Sequence, residues 1–105
     1  MIEYSSRYIG ELVKATKNVL GLSVDVAGRN RAIRLKSGSI FLILSTIEND
    51  QTVPAIWRSI PLFKILPMGS HTYDDFALNV KFSAISIYVD PENVELVSEE
   101  EKEII

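Results

Sequence analysis

The chain has 105 residues, 47% hydrophobic and 24% charged, which is the composition of one folded domain. Its 11 Lys and Arg against 14 Asp and Glu leave a net charge of −3, which excludes a protein that is basic throughout and coats a polyanion. There is no cysteine, so disulfides, thiolate metal sites and thiol nucleophiles are excluded, and the fold must hold by packing alone or by packing plus oligomerisation.

Residues 5–20 are expected to form a helix. Tyr8, Ile9, Leu12, Val13, Ala15, Thr16, Val19 and Leu20 recur at spacings of three and four, with Glu11, Lys14, Lys17 and Asn18 between them. Ser5 or Ser6 supplies an N-cap and Gly21 a C-terminal stop. Gly10 weakens this helix by about 1 kcal/mol relative to Ala. From Leu22 the period becomes two, through Val24 and Val26, and Gly28-Arg29-Asn30 reads as a turn. Ile33 and Leu35 continue the alternation up to a second turn at Lys36-Ser37-Gly38-Ser39. Ile40 to Ile47 is apolar on both faces, as in a central strand, and Glu48 to Pro54 is a polar loop.

Ala55 to Leu66 is apolar but contains Pro61 and is bordered by Pro54 and Pro67, so it is expected at a sheet edge, as one strand or two short ones. Turns follow at Met68-Gly69-Ser70 and Asp74-Asp75. Phe76, Leu78, Val80 and Phe82 then alternate at even positions, whereas Ile85, Ile87 and Val89 occupy odd ones. That slip calls for a β-bulge or bend near Ser83 to Ile85. Asp90-Pro91-Glu92-Asn93 is a turn, Val94 to Val97 a last strand, and 98–105 an acidic tail, read as frayed although Ser98 and Glu101 have capping-box spacing.

Chemistry is sparse. His71, the single histidine, lies near Tyr73, Asp74 and Asp75, a set better explained by turn formation than by acid–base or metal chemistry. No phosphate loop, paired-histidine motif or nucleophile elbow is present, so no catalytic residue, metal ligand or cofactor is assigned. Charge is distributed unevenly. Residues 1–36 carry seven basic and three acidic side chains, and residues 37–105 carry four and eleven. Arg29, Arg31, Arg34 and Lys36 gather on one hairpin, which is a candidate nucleic-acid contact, although no aromatic residue is interleaved with them. Trp57, with Ile56, Ile60, Leu62 and Phe63, reads first as core; because prolines mark the stretch as an edge, part of it is also expected to be exposed, which makes Trp57, Ile60, Leu62 and Phe63 the candidate partner-binding residues.

The segment Ile33-Arg34-Leu35-Lys36-Ser37-Gly38-Ser39-Ile40 resembles the strand–turn–strand of the first Sm motif, and Ile85-Ser86-Ile87-Tyr88 with Asn93-Val94 is similar to the second. The resemblance implies an N-terminal helix followed by a bent five-stranded barrel, and RNA binding. Ile43 stands where the family has a glycine, Tyr88-Val89 replaces its Arg-Gly, and no Asp–Asn base-binding pair is evident near Glu48-Asn49-Asp50.

The sequence therefore predicts one mostly-β (α+β) domain over 1–105: a helix at 5–20 packed on a bent antiparallel sheet or small SH3-like barrel of five to seven strands over 22–97, then the tail. The expected function is a non-enzymatic interaction or assembly module, homo-oligomeric or part of a larger complex. Contact is made through the Trp57 to Leu66 patch, with the basic hairpin complementing the acidic end. The alternative is an Sm-like nucleic-acid-binding barrel. The longest apolar run, Ile40 to Leu44, is too short to span a membrane, and Met1 to Ser6 lacks a signal-peptide layout, so the expected setting is the cytoplasm or a virion, viral or phage.

Overall fold

The structure is a computed structural model, and it describes residues 2–25, 28–67, 72–74 and 81–104. Its strands are β1 (Leu12–Ala15), β2 (Val19–Asp25), β3 (Asn30–Leu35), β4 (Ile40–Thr46), β5 (Phe63–Pro67), β6 (Thr72–Asp74), β7 (Lys81–Val89) and β8 (Val94–Leu96), followed by helix α1 (Glu99–Ile104). Seven strands form one antiparallel sheet in the order β3-β2-β7-β5-β4-β1-β8, and β6 pairs with β7 beside it.

The expected N-terminal helix is not formed. Residues 6–8 make a single 3-10 turn, and the chain then enters β1 and β2. Gly10 has φ +89°, in the left-handed region, which ends the turn where a helix would have to continue. Beyond it Val13 and Ala15 are buried while Leu12 and Lys14 are only partly covered, so the period is two. Gly21 is not a helix stop either. It lies inside β2, and a Cβ there would come within 3.2 Å of both the Tyr88 carbonyl oxygen and Leu35 Cδ1, so glycine permits close strand packing.

Among the described residues the sheet does not close into a barrel. β3 and β8, at the two ends of the strand order, do not pair with each other. On one face Val13, Ile33, Phe41, Ile43, Phe63, Ile65, Ile87, Val89 and Val94 form the main core, capped by Ile2, Tyr4 and Tyr8. The Tyr4 ring lies 5.5 Å from Phe63, centroid to centroid, which ties the N-terminal segment down. On the other face Ile47, Val53, Leu62 and Tyr88 form a second, smaller core with Leu22, Val24 and Trp57.

Two bulges shape the sheet. Val24 pairs with Ser86 but Asp25 with Ala84, so Ile85 is the extra residue, within the segment where the sequence called for a bulge. In β4, Ile43 pairs with Ile65 but Ser45 with Lys64, leaving Leu44 as a second extra residue, 40% exposed. β4 has β1 and β5 on either side, as expected of a central strand.

The proline-bounded stretch departs from expectation. Residues 55–59 form a 3-10 helix, and β5 lies between β7 and β4 rather than at an edge. Pro61 precedes the strand and Pro67 is its last residue, so neither removes a donor from the strand interior. The acidic tail is helical over Glu99–Ile104. Its capping box is closed both ways: the Ser98 N–H donates to Glu101 Oε1, and the Glu101 N–H donates to Ser98 Oγ, each at 3.2 Å. The expected turn at 68–70 and the residues from Asp75 to Val80 lie outside the described residues, as does His71. No helix among the described residues is long and apolar enough to cross a membrane.

Candidate interaction surface

The four expected partner-binding residues divide by burial. Leu62 and Phe63 are 7% and 0% exposed. They belong to the second and the main core respectively, so neither offers surface to a partner. Consecutive apolar residues are buried here because the chain crosses from one core to the other between them. Trp57 is half-buried, its ring edge-on to Tyr88 at 6.2 Å. Ile60 is 40% exposed, and Ile56, which is not among those four, is 75% exposed. The 3-10 helix thus presses Trp57 inward and projects Ile56 outward.

A buried polar group holds this projection. Residues 47–62 form a cover over the outer face of β2 and β7, closed at its base where the Ile47 N–H donates to the Leu62 carbonyl at 3.1 Å. Asp50 sits under the cover. Its Oδ1 accepts the Thr52 N–H at 2.9 Å and the Thr52 hydroxyl. Its Oδ2 accepts the Tyr88 hydroxyl and lies 3.5 Å from Lys64 Nζ. Burial pushes the Asp50 carboxyl up, but the bonds from Thr52 and Tyr88 and the Lys64 charge outweigh it, and its pKa is lowered to about 2. Three hydrogen bonds and one ion pair thus converge on one carboxylate. The arrangement fixes the cover to the sheet. No sequence signal marked Asp50, because Lys64 and Tyr88 come from distant strands.

Beside the cover lies a cleft of about 370 Å³. Ile2, Tyr4, Pro61 and Pro91 give it an apolar lining, and Glu3, Asp90 and Glu92 contribute carboxylates. Asp90 caps the short turn at 91–93, accepting the Glu92 N–H at 2.9 Å.

The basic hairpin is present as β2 and β3, but its cations do not share one face. Arg31 pairs with Ser23 on the side of buried Ile33 and Leu35, whereas Arg34 pairs with Leu20 on the opposite side. Arg29, Arg34 and Lys36 are exposed and Arg31 is half-buried. At the other end of the strand order, Lys14 binds Glu101 at 2.7 Å and Glu95 at 3.3 Å, docking α1 onto β1 and β8. The hydrogen bond from Lys14, together with those from Ser98, holds Glu101 below the usual carboxylate range. Part of the acidic tail is therefore neutralised within the chain.

Among the described residues no group of three His, Cys, Asp or Glu side chains is placed to hold a metal ion. No protein-family model matches the chain, and neither a curated protein nor a solved structure matches it.

Proposed function

We propose that this chain is a non-enzymatic interaction module that works in an assembly, associating with its own copies. The observation that carries this reading is Ile56: a large apolar side chain, 75% exposed, on a 3-10 helix whose neighbouring Trp57 is anchored against Tyr88. Isolated exposed apolar residues are ordinary on protein surfaces. Here Ile56 and Ile60 are both exposed on a segment tied to the sheet through the Asp50–Tyr88 bond, and that preorganisation reduces the ordering penalty of binding.

Light scattering across a concentration series tests the reading. The wild-type chain is expected at a multiple of 11.8 kDa, and the double variant Ile56→Asp, Ile60→Asp at the monomer mass with unchanged circular dichroism. A wild-type chain that stays monomeric at about millimolar concentration, where even weak association of roughly −4 kcal/mol would register, overturns it.

A further inference from the structure

We infer that a second copy packs on the leucine face of β1, β4 and β5, the same face of both copies meeting across a twofold axis. The inference rests on the self-association reading and names a second part of the surface it uses.

Strand register defines this face. Leu12 pairs with Leu42, and Leu42 pairs with Leu66. Residues directly opposed on antiparallel strands lie on one side of the sheet, so the three leucines form a row across three strands. Their neighbours Val13, Phe41, Ile43 and Ile65 point the other way, into the main core. Ile40 and Leu44 flank Leu42, two residues away on either side. Leu44 and Leu66 are each 40% exposed, and Leu12, Ile40 and Leu42 are half-buried. None of the five belongs to either core. Lys64, two residues before Leu66 and on the same side, pairs with Tyr88 and lies 3.5 Å from Asp50. The cover therefore stands against one flank of the leucine face.

Charge identifies the occupant. β1, β4 and β5 carry only two charged residues, Lys14 and Lys64. Lys14 is bound by Glu101 at 2.7 Å and Glu95 at 3.3 Å, and Lys64 by Asp50. Both cations are neutralised within the chain, so the face offers little to a charged partner and meets an identical face without repulsion. Two such faces stack as sheets do in a sandwich, about 10 Å apart. A contact between identical faces is isologous and closes at two copies. Three strands about 4.8 Å apart and five residues of about 3.3 Å each give the face a footprint of roughly 240 Å². A stable contact takes about 800 Å² from each partner, so it must also spread over the cover, where Ile56 and Ile60 are exposed.

Light scattering and thiol labelling test the contact. The wild-type chain is expected at twice 11.8 kDa, with a mass that does not fall as salt rises, because no ion pair crosses the contact. Leu44→Glu with Leu66→Glu sets carboxylates against each other on the face. This variant is expected to associate at least about a hundredfold more weakly, with unchanged circular dichroism. The chain has no cysteine, so Leu66→Cys adds a single thiol to the same face. Its labelling by a maleimide is expected to slow at least about tenfold between dilute protein and protein that is nine-tenths or more paired, and this readout decides if the glutamate variant does not fold. Glutamates that leave the mass unchanged, or a labelling rate equal in dilute and assembled protein, overturn the face contact while self-association through Ile56 stands. A wild-type mass above two copies overturns the twofold face contact as well. A monomeric wild-type chain overturns both readings.

Discussion

Replacing Asp50 by Asn removes one negative charge and changes little else in shape, so it isolates what the buried carboxylate does for the cover. Asp50 Oδ1 receives two donors from Thr52, and Oδ2 faces the Tyr88 hydroxyl and Lys64. An amide has only one oxygen, so its NH₂ must face one of these donor pairs. The folded carboxyl has a pKa of about 2 against an ordinary value of 3.8. That gap of nearly two units corresponds to about 2 kcal/mol of stability from the charged form. Because the folded pKa is the lower one, this contribution is present at neutral pH, above the unfolded value, and is lost as pH falls through the folded value near 2. Trp57 is the only tryptophan and lies edge-on to Tyr88, so its fluorescence reports on the cover. In urea at pH 7, Asp50→Asn is expected to unfold at a midpoint lower by between about 1 and 2 M, taking a slope of roughly 1–2 kcal/mol per M. Toward pH 2 the two chains are expected to converge by about 2 kcal/mol, whatever the other carboxylates do to both. Equal midpoints at pH 7, or a gap that stays constant into acid, would show that the Asp50 charge does not fix the cover.

The division between core and surface in residues 60–63 is tested by two substitutions. Phe63→Ala is expected to lower stability by about 3–5 kcal/mol, the usual loss for a buried aromatic, whereas Ile60→Ser is expected to move it by no more than about 0.5 kcal/mol. Thermal melting reads both, and comparable losses at the two positions would contradict the separation. Gly21→Ala adds a methyl 3.2 Å from the backbone oxygen of Tyr88, which has little room to yield. The expected result is a net loss of about 1–2 kcal/mol, a melting temperature lower by roughly 5–10 °C, because overpacking outweighs the entropic gain from removing a glycine. An unchanged or raised melting temperature would mean that β2 and β7 are not held that close.

The strands that were legible in the sequence are those whose two faces have clearly different environments. Ile33 and Leu35 alternate with exposed neighbours, and the phase change before Ile87 called for a bulge near Ser83 to Ile85, where the register makes Ile85 the extra residue. Residues 5–20 were misread because four residues of β1 are too few for a period of two to stand out. Leu12, Val13, Ala15 and Thr16 fit a helical stripe equally well, and the deciding fact, the left-handed backbone at Gly10, is conformational. Gly21 posed a related problem: a helix-stopping glycine and a glycine admitting close packing look alike until Tyr88, far along the chain, is placed beside it.

The candidate surface was hard to read because Leu62-Phe63 and Ile87-Tyr88-Val89 are buried on both sides, so that short apolar runs replace an alternation. Ile87 and Val89 face the main core and Tyr88 the second, just as Leu62 and Phe63 face opposite ways. An apolar run under those conditions shows that residues are buried but not which of their neighbours remain exposed. Trp57 drew attention by its type, yet its ring serves as the anchor, and the exposed position is the less conspicuous Ile56 beside it. Trp57 packs on the same Tyr88 that Asp50 binds, so the anchor of the 3-10 helix and the latch of the cover share one side chain. Surface and latch are coupled in this way, so Asp50→Asn is expected to weaken the proposed association through Ile56, read as a lower mass by light scattering, as well as to lower stability.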